Sequence, residues 1–128
     1  SPERTITFEV VGDAGTLPAQ VATPMAVVLT ELLQNTADHA FPATARQAVP
    51  ARVCVELERS ESELVVRVVD NGVGVPEGFE IAKAKGLGLS IVRALVESDL
   101  RGRIDLDVPE SGYGTSITVG VPLETFAN

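Results

Sequence analysis

A chain of 128 residues with 45% hydrophobic content has the length of one domain, residues 1–128, and enough apolar mass for a single core, which excludes a disordered tail. Ten Lys and Arg against eighteen Asp and Glu leave a formal charge of −8. That balance argues against a nucleic-acid surface or an anionic membrane surface, because phosphate binding needs clustered basic side chains.

In chain order, Thr5 to Val10 alternates Ile6, Phe8 and Val10 with polar neighbours, the period of a half-buried strand, and Gly12-Asp13-Ala14-Gly15 ends it. Thr23-Pro24 supplies an N-cap and a first-turn proline, so the sequence predicts a helix from there to about His39, with Leu29, Leu32, Leu33 and Thr36 on its core face. Phe41 to Ala51 holds two prolines and no clear period and reads as a loop with room for one helical turn. Val53 to Glu58 and Leu64 to Asp70 are strands separated by Arg59-Ser60-Glu61-Ser62-Glu63, an antiparallel hairpin with Asp70 at its far end. Cys54, the sole cysteine, lies within the first of them as a packing residue; it allows no intrachain disulfide and permits a cytoplasmic address. A glycine turn at Gly72 to Gly74 leads to a short segment with Pro76 and Gly78. A helix from about Leu87 to Ser98 follows, then strands near Arg103 to Asp107 and Ser116 to Val121. Strands at both ends with helices between them predict an α/β sandwich in two layers, one mixed sheet covered on one face by helices. No apolar run approaches a bilayer span, no basic leader precedes a cleavage site, and the start at Ser1 suggests a piece of a longer protein.

Four polar or glycine-rich segments stand out in this frame: Glu31-Leu32-Leu33-Gln34-Asn35, Asp70-Asn71-Gly72-Val73-Gly74, Gly86-Leu87-Gly88-Leu89 and Gly114-Thr115. Glu31, Asn35, Asp38 and His39 lie at i, i+4, i+7 and i+8, a common polar stripe on a helix whose leucines face the sheet. A carboxylate and a carboxamide one turn apart can address a proton and a magnesium ion, although such a stripe seen alone reads more often as a solvated face. The Asp70 carboxylate can accept from an exocyclic amine of the kind adenine has and guanine lacks at that position, while the same tripeptide is also a strong tight-turn signal. Gly86 to Val92 puts flexible residues at the start of an apolar helix, where free N–H groups and the helix dipole favour phosphate. It is neither a Rossmann fingerprint, since Ile91 stands where the third glycine belongs, nor a P-loop, since no Gly-Lys-Ser/Thr occurs.

In order and spacing these segments resemble the boxes of the ATP-binding catalytic domain of sensor histidine kinases, in the superfamily shared with gyrase-type ATPases and MutL-like repair proteins. Glu31 to His39 is similar to the family's N box, Asp70 to Gly74 and Gly86 to Val92 to its two glycine boxes, and Gly112 to Thr115 to its glycine-threonine element. The resemblance implies the two-layer fold and bound ATP and magnesium. It makes Asn35 the magnesium contact, Glu31 the catalytic carboxylate, Asp70 the base selector supported by Thr115, and Gly72 and Gly74 the points where backbone approaches the ring. Gly86, Leu87, Gly88 and Leu89 then meet the phosphates. Asp38 stands where many relatives have a phosphate-reaching lysine, so Lys83 and Lys85 are the nearest substitutes, and His39 lies beside the phosphates or is packed and is not the phosphoacceptor. The lid, Val75 to Lys85, is short and resembles that of soluble or modular histidine kinases. The implied partners are a histidine-bearing dimerisation hairpin of the same, homodimeric, parent protein and a downstream response regulator. Rival expectations are a serine kinase of the anti-sigma-factor type, a non-enzymatic ATP-binding regulatory module, and a gyrase-like clamp.

Overall fold

The computed structural model describes residues 5–41, 50–75 and 87–124. Five strands, β1 (Ile6–Gly12), β2 (Ala51–Arg59), β3 (Glu63–Asp70), β4 (Arg103–Asp107) and β5 (Thr115–Pro122), form one sheet in the order β1-β2-β3-β5-β4. β1 runs parallel to β2 and the other neighbours are antiparallel, so the sheet is mixed. Helix α1 (Ala19–His39) joins β1 to β2, and helix α2 (Leu87–Ala94), extended by a π turn (Leu95–Asp99), precedes β4.

The period-2 alternation of the strands decides which face carries the core. Ala51, Val53 and Val55 of β2, Leu64, Val66 and Val68 of β3, and Ile117, Val119 and Val121 of β5 are all buried and lie on one face by register. The helices supply the other half of that core: Val21, Met25, Val28 and Leu32 from α1, and Val92, Val96 and Leu100 from α2 and the turns after it. The opposite face is polar. Glu56, Arg67, Thr118 and Asp105 stand in one row across four strands, with Arg67 donating to Glu56 at 3.0 Å and to Thr118 at 3.3 Å. Arg52 pairs with Glu9, and Arg103 with Glu63, on the same side. Such exposed pairs add little stability, but they make this face unsuited to burial, and helices cover only the other one. Cys54 lies, half-buried, on this polar face and not in the core.

Three details differ from the sequence reading. Helix α1 begins at Ala19 with Pro18 as its N-cap, one turn before Thr23, and Pro24 sits inside it. The apolar stripe Val21, Met25, Val28, Leu32 begins ahead of Pro24, so core burial extends the helix N-terminally past the local start signal. Phe8 and Val10 share the helix-covered face with Val53 and Val55, yet they are 50% and 67% exposed, because the helical layer does not reach the edge strand. The expected helix from Leu87 carries a π turn at its end, closed by Leu100 N–H to Leu95 C=O and by Arg101 at φ 53. The hairpin loop is as expected: the Ser60 hydroxyl accepts from Glu63 N–H at 3.0 Å and closes the turn. Most of the loop expected at Phe41 to Ala51 lies outside the described residues.

The covered and uncovered parts of the same face should respond differently to substitution. Leu32→Ala, at a fully buried position, is expected to lower stability by about 2–5 kcal/mol. Val10→Thr should stay within about 0.5 kcal/mol. Urea unfolding of both variants checks this, and comparable losses would mean that β1 is covered in solution.

Candidate functional site

The polar end of the core stripe is where the site begins. In β3 the covered face runs Leu64, Val66, Val68 and then Asp70, which is only 6% exposed. Its Oδ1 accepts from the Gly72 N–H at 2.9 Å, bending the chain away from the sheet. Val73 N–H then donates to the Ala40 carbonyl at the end of α1, at 2.9 Å. Gly72 is held so close to Ala40 that any Cβ would overlap the Ala40 carbonyl oxygen. Asn71 completes the clamp by accepting from Arg52 N–H at 2.8 Å and donating to Pro50 C=O at 2.8 Å. The end of β3, the end of α1 and the start of β2 are thus locked together.

Between these elements lies a cavity of about 330 Å³. Asn35, Thr36, His39 and Ala40 line it from α1, Asp70, Gly74 and Val75 from the end of β3, Leu89 from α2, and Leu106, Thr115 and Ile117 from the sheet. The walls are mostly apolar with a few convergent polar groups, the character of a small-molecule site. Burial pushes the Asp70 carboxyl above its ordinary range, while the backbone N–H groups of Gly72 and Thr115 pull it back. Thr115 is the register partner of Asp70 in β5 and is itself buried.

At one side of the cavity, Asn35 Nδ2 is buried without a hydrogen-bond partner. Gly88 of α2 stands beside it: a Cβ there would lie 2.9 Å from Glu31 Oε2 and about as close to both ends of the Asn35 amide. The start of α2 therefore abuts the Glu31–Asn35 pair, bringing the first and third sequence segments together. The unpartnered Asn35 Nδ2 is a donor that fits a phosphate oxygen, as does the start of a helix, while the Asn35 amide oxygen and the Glu31 carboxylate are the groups there that could face a magnesium ion. Among the described residues there is no group of three or more His, Cys, Asp or Glu that could hold a metal ion.

The expected site residues are therefore placed unequally. Asn35, His39, Asp70, Gly74, Leu89 and Thr115 line the cavity, and Glu31 and Gly88 meet at its flank. Gly72 is not part of the lining, and its missing side chain makes room for Ala40. Asp38 is exposed and accepts from Gln34 Nε2 at 3.1 and 3.2 Å, turned to solvent by its place on α1. Lys83, Lys85 and Gly86, the side chain of Leu87, and the lid beyond Val75 lie outside the described residues. Ala40, Leu106 and Ile117 have no part in the sequence reading of the site, Val75 enters it only as the first residue of the lid, and Thr36 has only a core role. The signal for Leu106 and Ile117 is strand alternation; for Thr36 it is a hydroxyl in an otherwise apolar stripe.

Comparison with known proteins agrees with this geometry. The profile of the family described as histidine kinase-, DNA gyrase B- and HSP90-like ATPases matches residues 20–125, and the chain belongs to that family. It is 42% identical over 125 residues to the sensor histidine kinase PdtaS of Mycobacterium tuberculosis, covering 96% of this chain and 24% of that protein. It is 32% identical over 118 residues to the blue-light-activated histidine kinase 2 of Erythrobacter litoralis, covering 92% of this chain and 32% of that protein. Among solved structures, the histidine kinase domain of the Erythrobacter litoralis blue-light-activated kinase aligns with a TM-score of 0.79 at 28% identity, covering 94% of this chain and 56% of that one. The nucleotide-free catalytic domain of histidine kinase ThkA aligns with a TM-score of 0.66 at 26% identity, covering 92% and 80%. The chain spans about a quarter to a third of the length of these curated relatives.

The raised Asp70 carboxyl has a stability consequence with a definite sign. Between the ordinary carboxyl range and the raised value the folded state holds a proton that the unfolded chain has lost, so stability falls as pH rises through that window. Above the window the full penalty of a buried charge remains. Asp70→Asn is therefore expected to raise the unfolding temperature at pH 7, with the gain shrinking as pH falls through the window. Thermal melts at several pH values check it; a pH-independent loss of stability would show that the carboxylate stabilises the free domain.

Proposed function

We propose that this chain binds Mg-ATP in the cavity and donates the γ-phosphoryl group to a histidine on a separate helical hairpin of the same parent protein, as the catalytic domain of a two-component kinase. The observation that carries the reading is Asp70: a nearly buried carboxylate, costly to hold there, facing an apolar cavity where an adenine amine would offset the cost. Family membership and relatives that are sensor histidine kinases support it. On this reading residues 1–128 form a single cytoplasmic unit of a homodimeric parent that passes phosphate to a response regulator.

In the proposed roles Asp70 selects the base with Thr115 beside it, and Gly74, Leu89 and the apolar walls hold the ring. The Asn35 carboxamide meets magnesium, which would neutralise phosphate charge when bound. Glu31 positions the nucleophile or takes its proton. Gly86, Leu87 and Gly88 offer backbone N–H groups to the phosphates, with Lys83 or Lys85 as the cation. His39 flanks the phosphates and does not accept phosphate, because it lies on the site's own helix and would have to attack in line while lining the same cavity. Asp38, exposed and tied to Gln34, is given no part.

Calorimetry on the isolated chain should give binding of ATP and ADP and much weaker binding of GTP, and Asp70→Asn should cost about 1–3 kcal/mol of ATP affinity. Asn35→Ala should weaken ATP binding more with magnesium than with chelator. Equal affinity for ATP and GTP would remove Asp70 as selector, and equal losses in both metal conditions would make Asn35 structural.

Incubated alone with γ-labelled ATP, the chain should stay unlabelled. Adding the parent's histidine-bearing hairpin should give an acid-labile, base-stable phosphate on that hairpin, formed more slowly by Glu31→Gln. Label on His39, or an acid-stable product, would overturn the histidine-kinase reading in favour of other chemistry.

A further inference from the structure

Among the described residues the buried polar side chains are Thr36, Asp70, Thr115 and Ser116, and the first three line one cavity. Asp70 and Thr115 reach it from the sheet, as register partners. Thr36 comes from the other layer. It is the next step of the α1 stripe Val21, Met25, Val28, Leu32, where every earlier buried member is apolar. A valine would fill that step equally well, and a threonine that is only 6% exposed and lines the cavity gives it a polar group that a valine would not. The exposed Thr30 of the same helix bonds its hydroxyl to the Ala26 carbonyl one turn back at 2.8 Å. Thr36, by contrast, is placed where the helix leaves the core and meets the cavity. Its place relative to Asp70 is fixed, since Ala40, one turn further on, accepts from Val73, and Asp70 accepts from Gly72.

We propose that Thr36 is a base-contacting residue, so that the cavity reads two adjacent groups of adenine from its two layers. The inference rests on the cavity being the adenine site, as proposed above. Asp70 accepts from the 6-amino group, and the Thr36 hydroxyl donates, directly or through one bound water, to the neighbouring ring nitrogen N1. Guanine reverses this pattern, with a carbonyl at position 6 and a hydrogen on N1. A hydroxyl alone tolerates either form because it also accepts; beside a carboxylate with no hydrogen to give, it completes a pattern that adenine matches and guanine does not. Thr36 also gives the ring a second polar contact, which prevents rotation within the apolar slot.

The test is a chemical double-mutant cycle by calorimetry with ADP and 1-deaza-ADP, in which N1 is replaced by C–H, on the wild type, Thr36→Val and Thr36→Ser. The wild type should bind 1-deaza-ADP roughly tenfold more weakly than ADP, as one net hydrogen bond implies. Thr36→Val should bind ADP roughly tenfold more weakly than the wild type and be nearly indifferent to the analogue, while Thr36→Ser behaves as the wild type. Thermal unfolding without nucleotide should show Thr36→Val at least as stable as the wild type, which separates lost contact from lost folding. Thr36→Val that binds ADP normally, or that keeps the full penalty for the analogue, overturns the proposal. A wild type that binds no adenine nucleotide overturns the cavity assignment and this inference with it, whereas normal wild-type binding with an unchanged Thr36→Val removes only Thr36.

Discussion

The structure of the site depends on one junction, where the chain leaving β3 is pinned to the last turn of α1. Asp70 Oδ1 holds Gly72, the Ala40 carbonyl holds Val73, and the gap between Gly72 and Ala40 leaves no room for a side chain. A helix and a sheet that share a core can still slide by a fraction of a turn; hydrogen bonds at the rim of that core fix the register. Asn35, Thr36 and His39 on the helix are thereby set against Asp70, Gly74 and Thr115 on the sheet side. Gly114 adds a second close approach, lying against the Asp70 carbonyl with φ +87, so the β4–β5 connection is seated on the same strand end.

The junction gives Asp70 two tasks that pull its ionisation in opposite directions. As a turn residue it accepts a backbone N–H, which favours the charged form. As the last member of the buried β3 stripe it loses water, which disfavours that form, and desolvation is the larger effect. On the proposed reading a ligand's donors would offset that cost, so a destabilised free domain and selective binding would have the same cause. A turn alone could be made by an exposed Asp at no such cost. The turn role of Asp70-Asn71-Gly72 is observed, and burial is what supports the proposed binding role beside it.

Much of the fold was legible because its determinants are local. Alternation in β2 and β3, the Ser60 turn and the apolar start of α2 each carry their own signal, and the observed elements fall where those signals lie. What was not legible depends on neighbours. Pro24 signals a helix start on local grounds, and burial of Val21 and Met25 outweighs it. Phe8 and Val10 have the period of a covered strand, and only the position of β1 at the sheet edge leaves them exposed. In the site, the four segments placed Asn35, Asp70, Leu89 and Thr115 on the cavity, because their chemistry is unusual for their elements. Asp38 follows the same helical stripe by number, yet its angle on α1 turns it to Gln34 and solvent. Thr36 escaped notice because a threonine on a core face is ordinary until the cavity beneath it is known.

The charge distribution separates recognition from chemistry. Among the described residues that line the cavity there is no lysine or arginine, and the chain as a whole carries −8. On the proposed reading a triphosphate would meet net repulsion over much of this acidic surface, so favourable contact falls to fixed dipoles, to magnesium and to Lys83 or Lys85 at one end. The base end is the opposite case: dry walls, one buried carboxylate and two buried hydroxyls, a set that discriminates by hydrogen-bond pattern and hardly at all by charge. On the proposed reading, identity of the nucleotide is decided at the helix–sheet junction, and reactivity is decided where α2 begins beside Glu31 and Asn35. Substitutions at the junction should therefore alter which nucleotide enters, and substitutions at the start of α2 what becomes of it.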